Sequence, residues 1–334
     1  MFIQSFDNDS YSDEEFSNIV LRAHRTPRNS LPGGLGQDCA VVAIGSVARN
    51  ALTISSRGRV CASFRRSLYL ELDGGWCCLV AGQLGGGPLN IVTTLTDRLD
   101  TISRDTRVFV VGQELFIGNQ LQLASGNWKV WQAPVVNWSR QTLFRGLKNL
   151  DSICSQRNPD RGLSGLVWPR SLGCLVSPEA GMAQPVFDSL RLWLRQALYS
   201  GALVSPPKGI VKLLGLGPGL TPSGDDFLVG LCIALSLCGR KDLVSAVSRT
   251  IQPLMTTLTG PISRLHILAA IDGEGNESLH TMINTILTGD YTAISSQLNS
   301  ISLIGHTSGW DALAGSTTVL REFICAQQPY LSDY

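Results

Sequence analysis

From about Ala40 to Val136 the chain runs in short apolar stretches separated by turn residues; after Trp138 its apolar positions recur every third or fourth residue. The first pattern predicts β structure and the second predicts amphipathic helices. Strands are expected at Ala51–Ile54, Val60–Phe64, Ser67–Leu72, Trp76–Val80, Asn90–Thr93, Val108–Val111, Gln120–Leu123 and Lys129–Gln132. Asp73-Gly74-Gly75 joins two of them as a hairpin, glycine supplying the positive φ that a tight turn needs. Leu143, Leu147 and Leu150 open the helical half, and Leu190, Leu192, Trp193, Leu194 and Leu198 mark a second helix. Further helices are expected at about Asp225–Leu237, Asp242–Leu258, Ser263–Asp272, Ser278–Leu287, Tyr291–Asn299 and Gly309–Cys325.

These elements predict an α+β protein in three parts. Residues 1–38, rich in Asp, Ser, Asn, Pro and Gly, read as a poorly ordered extension. Residues 39–137 form a mostly β domain, sandwich or barrel, and residues 138–334 a mainly α-helical domain. The stretch from Asn158 to Pro185 is broken by prolines and glycines and is expected to be a connecting or lid-like loop.

With 334 residues, 44% of them hydrophobic, the chain can bury substantial cores. Its net charge of +1 and 16% charged residues do not suggest a nucleic-acid footprint. Such a sparsely charged surface, with a mean hydropathy of +0.13, predicts that another chain covers part of it, a copy of itself or a different subunit. Nine cysteines, odd in number and without a CxxC pair, argue against a zinc site and for a reducing compartment. The acidic start differs from a signal peptide, and no apolar run reaches the ~18 residues of a membrane span. A cytoplasmic location is expected.

The densest chemistry lies in Gly215-Leu216-Gly217-Pro218-Gly219-Leu220-Thr221-Pro222-Ser223-Gly224-Asp225-Asp226, where a helix should begin. Thr221 can cap that helix with Pro222 at its first position, or Ser223 can cap it with Asp226 three residues on. The glycines can bring backbone N–H groups, at Gly217 and Gly219 above all, to a small anion. Asp225 and Asp226 complicate a bare anion site, since their charges repel it unless a cation intervenes or the carboxylates point elsewhere. They can instead hold a substrate amide or ammonium group. No cofactor is predicted; the metal to consider is magnesium at Asp225 and Asp226.

This motif has an echo. Ser223, Gly224, Asp226, Leu228 and Gly230 recur as Ser308, Gly309, Asp311, Leu313 and Gly315, 85 positions later. Glycine inside a helix costs about 1 kcal/mol against alanine, so Gly230 and Gly315 are expected to let the two motif helices cross closely. His306, Thr307 and Ser308 stand at the second helix start, and Trp310 is expected to pack. Between the motifs, Arg264 falls near the positive end of a helix, an unfavourable position that suggests an anion or carboxylate partner. Glu274 is expected near the end of that helix, and His266 and His280 in packing or surface positions. In the β half, Arg65-Arg66 and the Gly85-Gly86-Gly87 loop can complete an anion site across the domain boundary, or be a surface pair and a plain turn.

The two motifs, with Ile262-Ser263-Arg264 between them and more loosely Phe64-Arg65-Arg66 and Gly85 to Ile91, resemble the AllH-like subunit family of oxamate carbamoyltransferase. That resemblance implies a part in exchanging a carbamoyl group: oxalurate plus phosphate giving oxamate plus carbamoyl phosphate during allantoin breakdown, an activity associated with several different subunits. The implied ligand is one of those small anions, and the implied partners are the other subunits or further copies of the chain. On this reading Asp225, Asp226 and His306 are the candidate catalytic residues, and Gly217, Gly219, Thr221, Ser223, Arg264, Thr307, Ser308 and Asp311 bind substrate. The alternatives are a non-catalytic scaffold or regulatory subunit, and a small-molecule kinase, which the lack of a well-placed loop lysine disfavours.

Overall fold

The computed structural model describes residues 39–52, 56–112, 114–124, 128–169, 177–200 and 204–325. The expected N-terminal extension lies outside them. One curled sheet of nine strands is followed by helices, so the α+β expectation stands and the β half is a half-barrel, neither a sandwich nor a closed barrel. The strands are β1 (Val41–Ile44), β2 (Arg57–Phe64), β3 (Ser67–Leu72), β4 (Gly75–Ala81), β5 (Asn90–Thr93), β6 (Arg107–Val111), β7 (Glu114–Ile117), β8 (Leu121–Ala124) and β9 (Lys129–Val130). Their order across the sheet is β8-β7-β6-β2-β3-β4-β5-β1-β9, antiparallel except at β4–β5 and β1–β9.

Of the strand expected at Ala51–Ile54, Thr53 and Ile54 lie outside the described residues, and Ala51 is the last residue of α1 (Ser46–Ala51), whose Ala48 and Ala51 pack into the core of the sheet. Three apolar residues and a threonine carry too little periodicity to separate helix from strand. Strand β3 alternates strictly. Leu68, Leu70 and Leu72 are buried in the core formed with Val60, Leu79 and Ile91, while Tyr69 and Glu71 project from the opposite face. That opposite face turns toward the helices.

The helical half comprises α2 (Arg140–Arg157), α3 (Ser164–Val167), α4 (Pro178–Ser200), α5 (Ser223–Leu237), α6 (Lys241–Leu258), α7 (Pro261–Ile271), α8 (Glu277–Thr288), α9 (Ile294–Ile301) and α10 (Ser308–Cys325). The expected loop between Asn158 and Pro185 therefore contains α3 and the start of α4. Pro185 is tolerated inside α4, in its second turn. Helices α5 and α10 form the centre. Residues 223–235 of α5 are buried around the whole circumference, as are 309–320 of α10, the signature of helices surrounded by others.

Sheet and helices are joined at the start of α8. The Gly86 N–H donates to Glu277 Oε2 at 2.6 Å, the Glu277 N–H donates back to the Gly86 carbonyl at 2.9 Å, and Asn276 Nδ2 donates to the Leu84 carbonyl. Ser46 donates to Glu274 at 2.5 Å in the same joint. A Cβ on Gly86 would lie 2.2 Å from the Trp131 ring, which explains a glycine there. The Gly85 to Gly87 loop thus serves as a docking surface for α8.

Candidate functional site

The glycine loop is shaped by backbone conformation and by one carboxylate. Gly215, Gly217 and Gly219 have φ of 69°, 112° and 99°, in the left-handed region that other residues rarely adopt. Asp225, fully buried, holds the loop down. Its Oδ1 accepts the Gly215 N–H at 3.0 Å, and its Oδ2 accepts Ser263 Oγ at 2.7 Å and Thr259 Oγ1. Burial raises its carboxyl and these three donors lower it. Asp225 therefore ties α5 to the start of α7, the turn that carries Arg264. Among the described residues the N–H groups of Gly217, Gly219 and Thr221 have no hydrogen-bond partner.

Neither expected cap of α5 is formed. Pro222 is the N-cap residue and no side chain caps it, because the Pro222 carbonyl takes the Asp225 and Asp226 N–H groups while Thr221 and Ser223 turn toward α10. Thr221 Oγ1 stands 3.0 Å from Ser308 Oγ. The two motifs are exchanged across a local two-fold relation: Ser308 and Thr221 face Asp226 of α5, and Ser223 faces Asp311 of α10.

The same relation governs the crossing. A Cβ on Gly230 would lie 1.7 Å from the Ala312 carbonyl oxygen, and one on Gly315 would lie 2.0 Å from the Phe227 carbonyl oxygen. Each glycine faces the residue three before its counterpart in the other helix. Ser316 Oγ donates to the Gly230 carbonyl at 2.9 Å and fastens the contact. The close crossing expected from the two glycines is present, and it brings both helix starts to one point.

Asp226 and Asp311 meet there. Burial pushes the Asp226 carboxyl well above the usual carboxylate range and the Asp311 charge adds to it, against the Ser308 and Thr221 hydroxyls. Asp311 is raised by burial to about 6, although the Leu163 N–H donates to its Oδ1 at 2.6 Å. Gly162, at φ 79°, allows that approach: a Cβ there would sit 2.4 Å from Asp311 Oδ1. Among the described residues the buried Oδ2 atom of each aspartate has no hydrogen-bond partner.

The β sheet contributes side chains that the motifs did not reveal. Tyr69 projects from β3 toward Asp226; its phenol is pushed up by burial, then by Cys78, then by the Asp226 charge. A cavity of about 340 Å³ opens beside it, between Arg59, Cys61, Glu71, Trp76 and Arg104 on the sheet and Gly219, Leu220, Pro222 and Gly260 to Ile262 on the helical side. The period-two alternation of Tyr69 and Glu71 in β3 was the available signal, but it does not say what lies opposite.

The remaining expected residues are placed around this centre. Arg264 is half-buried in the first turn of α7 and makes no ion pair or side-chain hydrogen bond among the described residues. His306 is exposed on the turn before α10, and Thr307 is half-buried beside it, its carbonyl accepting the Asp311 N–H. No contact brings His306 or Arg264 to the Asp226–Asp311 pair. Trp310 packs, its ring edge-on to Trp168 at 6.2 Å and its Nε1 donating to Ser302. Arg65 pairs with Asp97 at 2.9 Å. Both Asp225 oxygens already accept protein donors, and among the described residues no group of three or more His, Cys, Asp or Glu is placed to hold a metal ion.

No helix among the described residues is long and apolar enough to cross a membrane. No solved structure matches the chain. The stretch that carries both helix starts and Arg264, residues 213–320, is that of an AllH-like subunit: it matches the model of the family described as Oxamate carbamoyltransferase subunit AllH.

Proposed function

We propose that this chain is a substrate-binding subunit of a carbamoyltransferase that converts oxalurate and phosphate to oxamate and carbamoyl phosphate, with the small anions held at the paired starts of α5 and α10. The observation that carries the reading is the Thr221–Ser308 hydroxyl pair, set at two facing helix starts inside the AllH-like stretch. Helix starts and left-handed glycine turns present N–H groups, and here those of Gly217, Gly219 and Thr221 have no partner among the described residues. They suit phosphate or the oxyanion that forms as phosphate attacks the carbamoyl carbon. Arg264 supplies the positive charge for a phosphate or oxamate carboxylate. Ser223 and Asp225 set the geometry of the loop, Thr307 and His306 form its rim, and partner subunits complete the enzyme.

A scaffold role is the second reading, favoured by Asp225, whose contacts are all internal. Phosphate-dependent cleavage of oxalurate separates the two. It is measured with the purified chain, then with candidate partner subunits added, in wild type and in Ser308→Ala. Activity of the assembly that falls with the substitution supports the binding subunit; activity that ignores it supports the scaffold.

A further inference from the structure

Asp226 and Asp311 are 8% and 0% exposed, and among the described residues neither Oδ2 has a hydrogen-bond partner. The groups that face them come from every neighbouring element. Asp225, Thr221 and Ser308 lie against Asp226, with Tyr69 reaching it from β3; Ser223, Thr307, the Leu163 N–H and Glu179 of α4 lie against Asp311. No lysine, arginine or histidine among the described residues joins them. Two ionised carboxylates would place a charge of −2 in this buried site, and the two helix N-termini return only about +0.5 each. About one negative charge remains in excess, and like-charged buried carboxyls relieve such an excess by keeping a proton.

The geometry also says which acid keeps it. Asp311 receives a backbone N–H at 2.6 Å, a bond that favours its ionised form, whereas among the described residues the hydrogen bonds to the Asp226 side chain come from the Ser308 and Thr221 hydroxyls and not from a backbone donor. We propose that the pair holds one proton at neutral pH, carried by Asp226 as a neutral acid, and that the Thr221–Ser308 hydroxyl pair conducts it to the leaving nitrogen of the substrate. The upward displacement of both carboxyls by burial agrees with this assignment.

The second half of the proposal rests on the carbamoyl-transfer reading. As a phosphate oxygen bonds to the carbamoyl carbon and the C–N bond breaks, the departing oxamate nitrogen takes the Asp226 proton through the hydroxyls. The proton released from the attacking phosphate returns by the same route, so the acid is reset and no net proton is consumed. Thr221 is half-buried between Leu220 and Pro222, both of which line the cavity, so the hydroxyl that meets Ser308 belongs to a residue whose chain neighbours on both sides border the space a substrate can enter. Asp226 acts through the two hydroxyls as a positioned proton store.

Infrared spectroscopy of the full chain without substrate tests the store. The expected result at pH 7 is the carbonyl band of a neutral carboxylic acid, shifted in D2O, lost in Asp226→Asn and retained in Thr221→Val and Ser308→Ala. In Asp311→Asn the pH at which the band disappears should fall, because the like charge is gone. A missing band at pH 7, or one that survives Asp226→Asn, overturns the proposal; a missing band together with stabilisation by potassium or sodium would assign the site to a cation. In the assembled enzyme, Thr221→Val and Ser308→Ala should each lower phosphorolysis by about 10²-fold while the band persists. A band without any oxalurate phosphorolysis refutes the reaction, whereas phosphorolysis without the band refutes the proton store.

Discussion

Thr221 and Ser308, 87 positions apart in the chain, place their hydroxyl oxygens 3.0 Å from one another across two helix starts. A threonine and a serine before helices ordinarily cap them. Thr221 does not, since α5 begins on an uncapped Pro222, its Gly224 amide is met by the Leu216 carbonyl and its Asp225 and Asp226 amides by the Pro222 carbonyl. The hydroxyl is thereby free to face α10 and the Asp226 carboxyl.

The crossing that creates this arrangement tolerates no side chain at two positions. Gly230→Ala puts a methyl group into the Ala312 carbonyl, and Gly315→Ala does the same at Phe227. Both are backbone contacts at the centre of the helical core, so neither can be relieved by a rotamer change. Each substitution should destabilise the protein by about 1–3 kcal/mol or more, read by chemical denaturation.

Asp225 and Asp226 are adjacent in sequence and should behave oppositely. Asp225→Ala strands the Gly215 N–H and the Thr259 and Ser263 hydroxyls, and one buried unmet donor alone costs about 1–3 kcal/mol. Faster proteolysis within residues 215–222 and a lower unfolding midpoint are expected. Asp226→Asn removes an unpartnered oxygen and should leave the midpoint unchanged or higher.

How far such roles were legible beforehand depended on what the signal was. The α5 and α10 helices, their close crossing at Gly230 and Gly315, the packed Trp310 and the β3–β4 hairpin all follow from periodicity and from glycines in costly places. The Asp225 contacts did not, because Thr259 and Ser263 are unremarkable residues made relevant only by the turn before α7. Tyr69 belongs to a strand whose alternation shows that it leaves the core, while the neighbour it meets depends on how the sheet docks through Gly86 and Glu277. Short helix α1 was not foreseen, and its last residue, Ala51, was read as the start of a strand for want of periodicity.

Two buried groups give the acid range opposite slopes. Among the described residues neither ring nitrogen of His280 has a hydrogen-bond partner, and burial lowers the imidazole to about 4 from 6.5. The unfolded chain then binds more protons between those values, so this contribution is complete above 6.5 and lost as pH falls toward 4. Asp311 is raised from 3.8 to about 6, so its contribution is present below 3.8 and lost as pH rises to 6. Melting profiles against pH should show His280→Leu gaining on wild type as the solution is acidified from 6.5 to 4, and Asp311→Asn gaining on wild type as pH rises from 4 to 6.

Arg264 is half-buried at the start of α7, where the helix dipole disfavours a cation, and has no ion pair or side-chain hydrogen bond among the described residues. Arg264→Met should therefore raise the melting temperature slightly. In the assembled enzyme it should weaken phosphate or oxamate binding by tenfold to hundredfold, for the loss of about 1.5–3 kcal/mol of charge-assisted hydrogen bonding. Inhibition by oxamate at varied phosphate would show which anion it holds.

The central claim, that substrate sits at the paired starts of α5 and α10, is tested most directly by the phosphate-dependent cleavage of oxalurate in the complete assembly, comparing wild type with Ser308→Ala. Loss of one positioned donor to the transition state predicts a fall of about 10²-fold or more in kcat/KM, with the assembly and its melting temperature essentially preserved. An intact kcat/KM in a folded, assembled Ser308→Ala enzyme would contradict it.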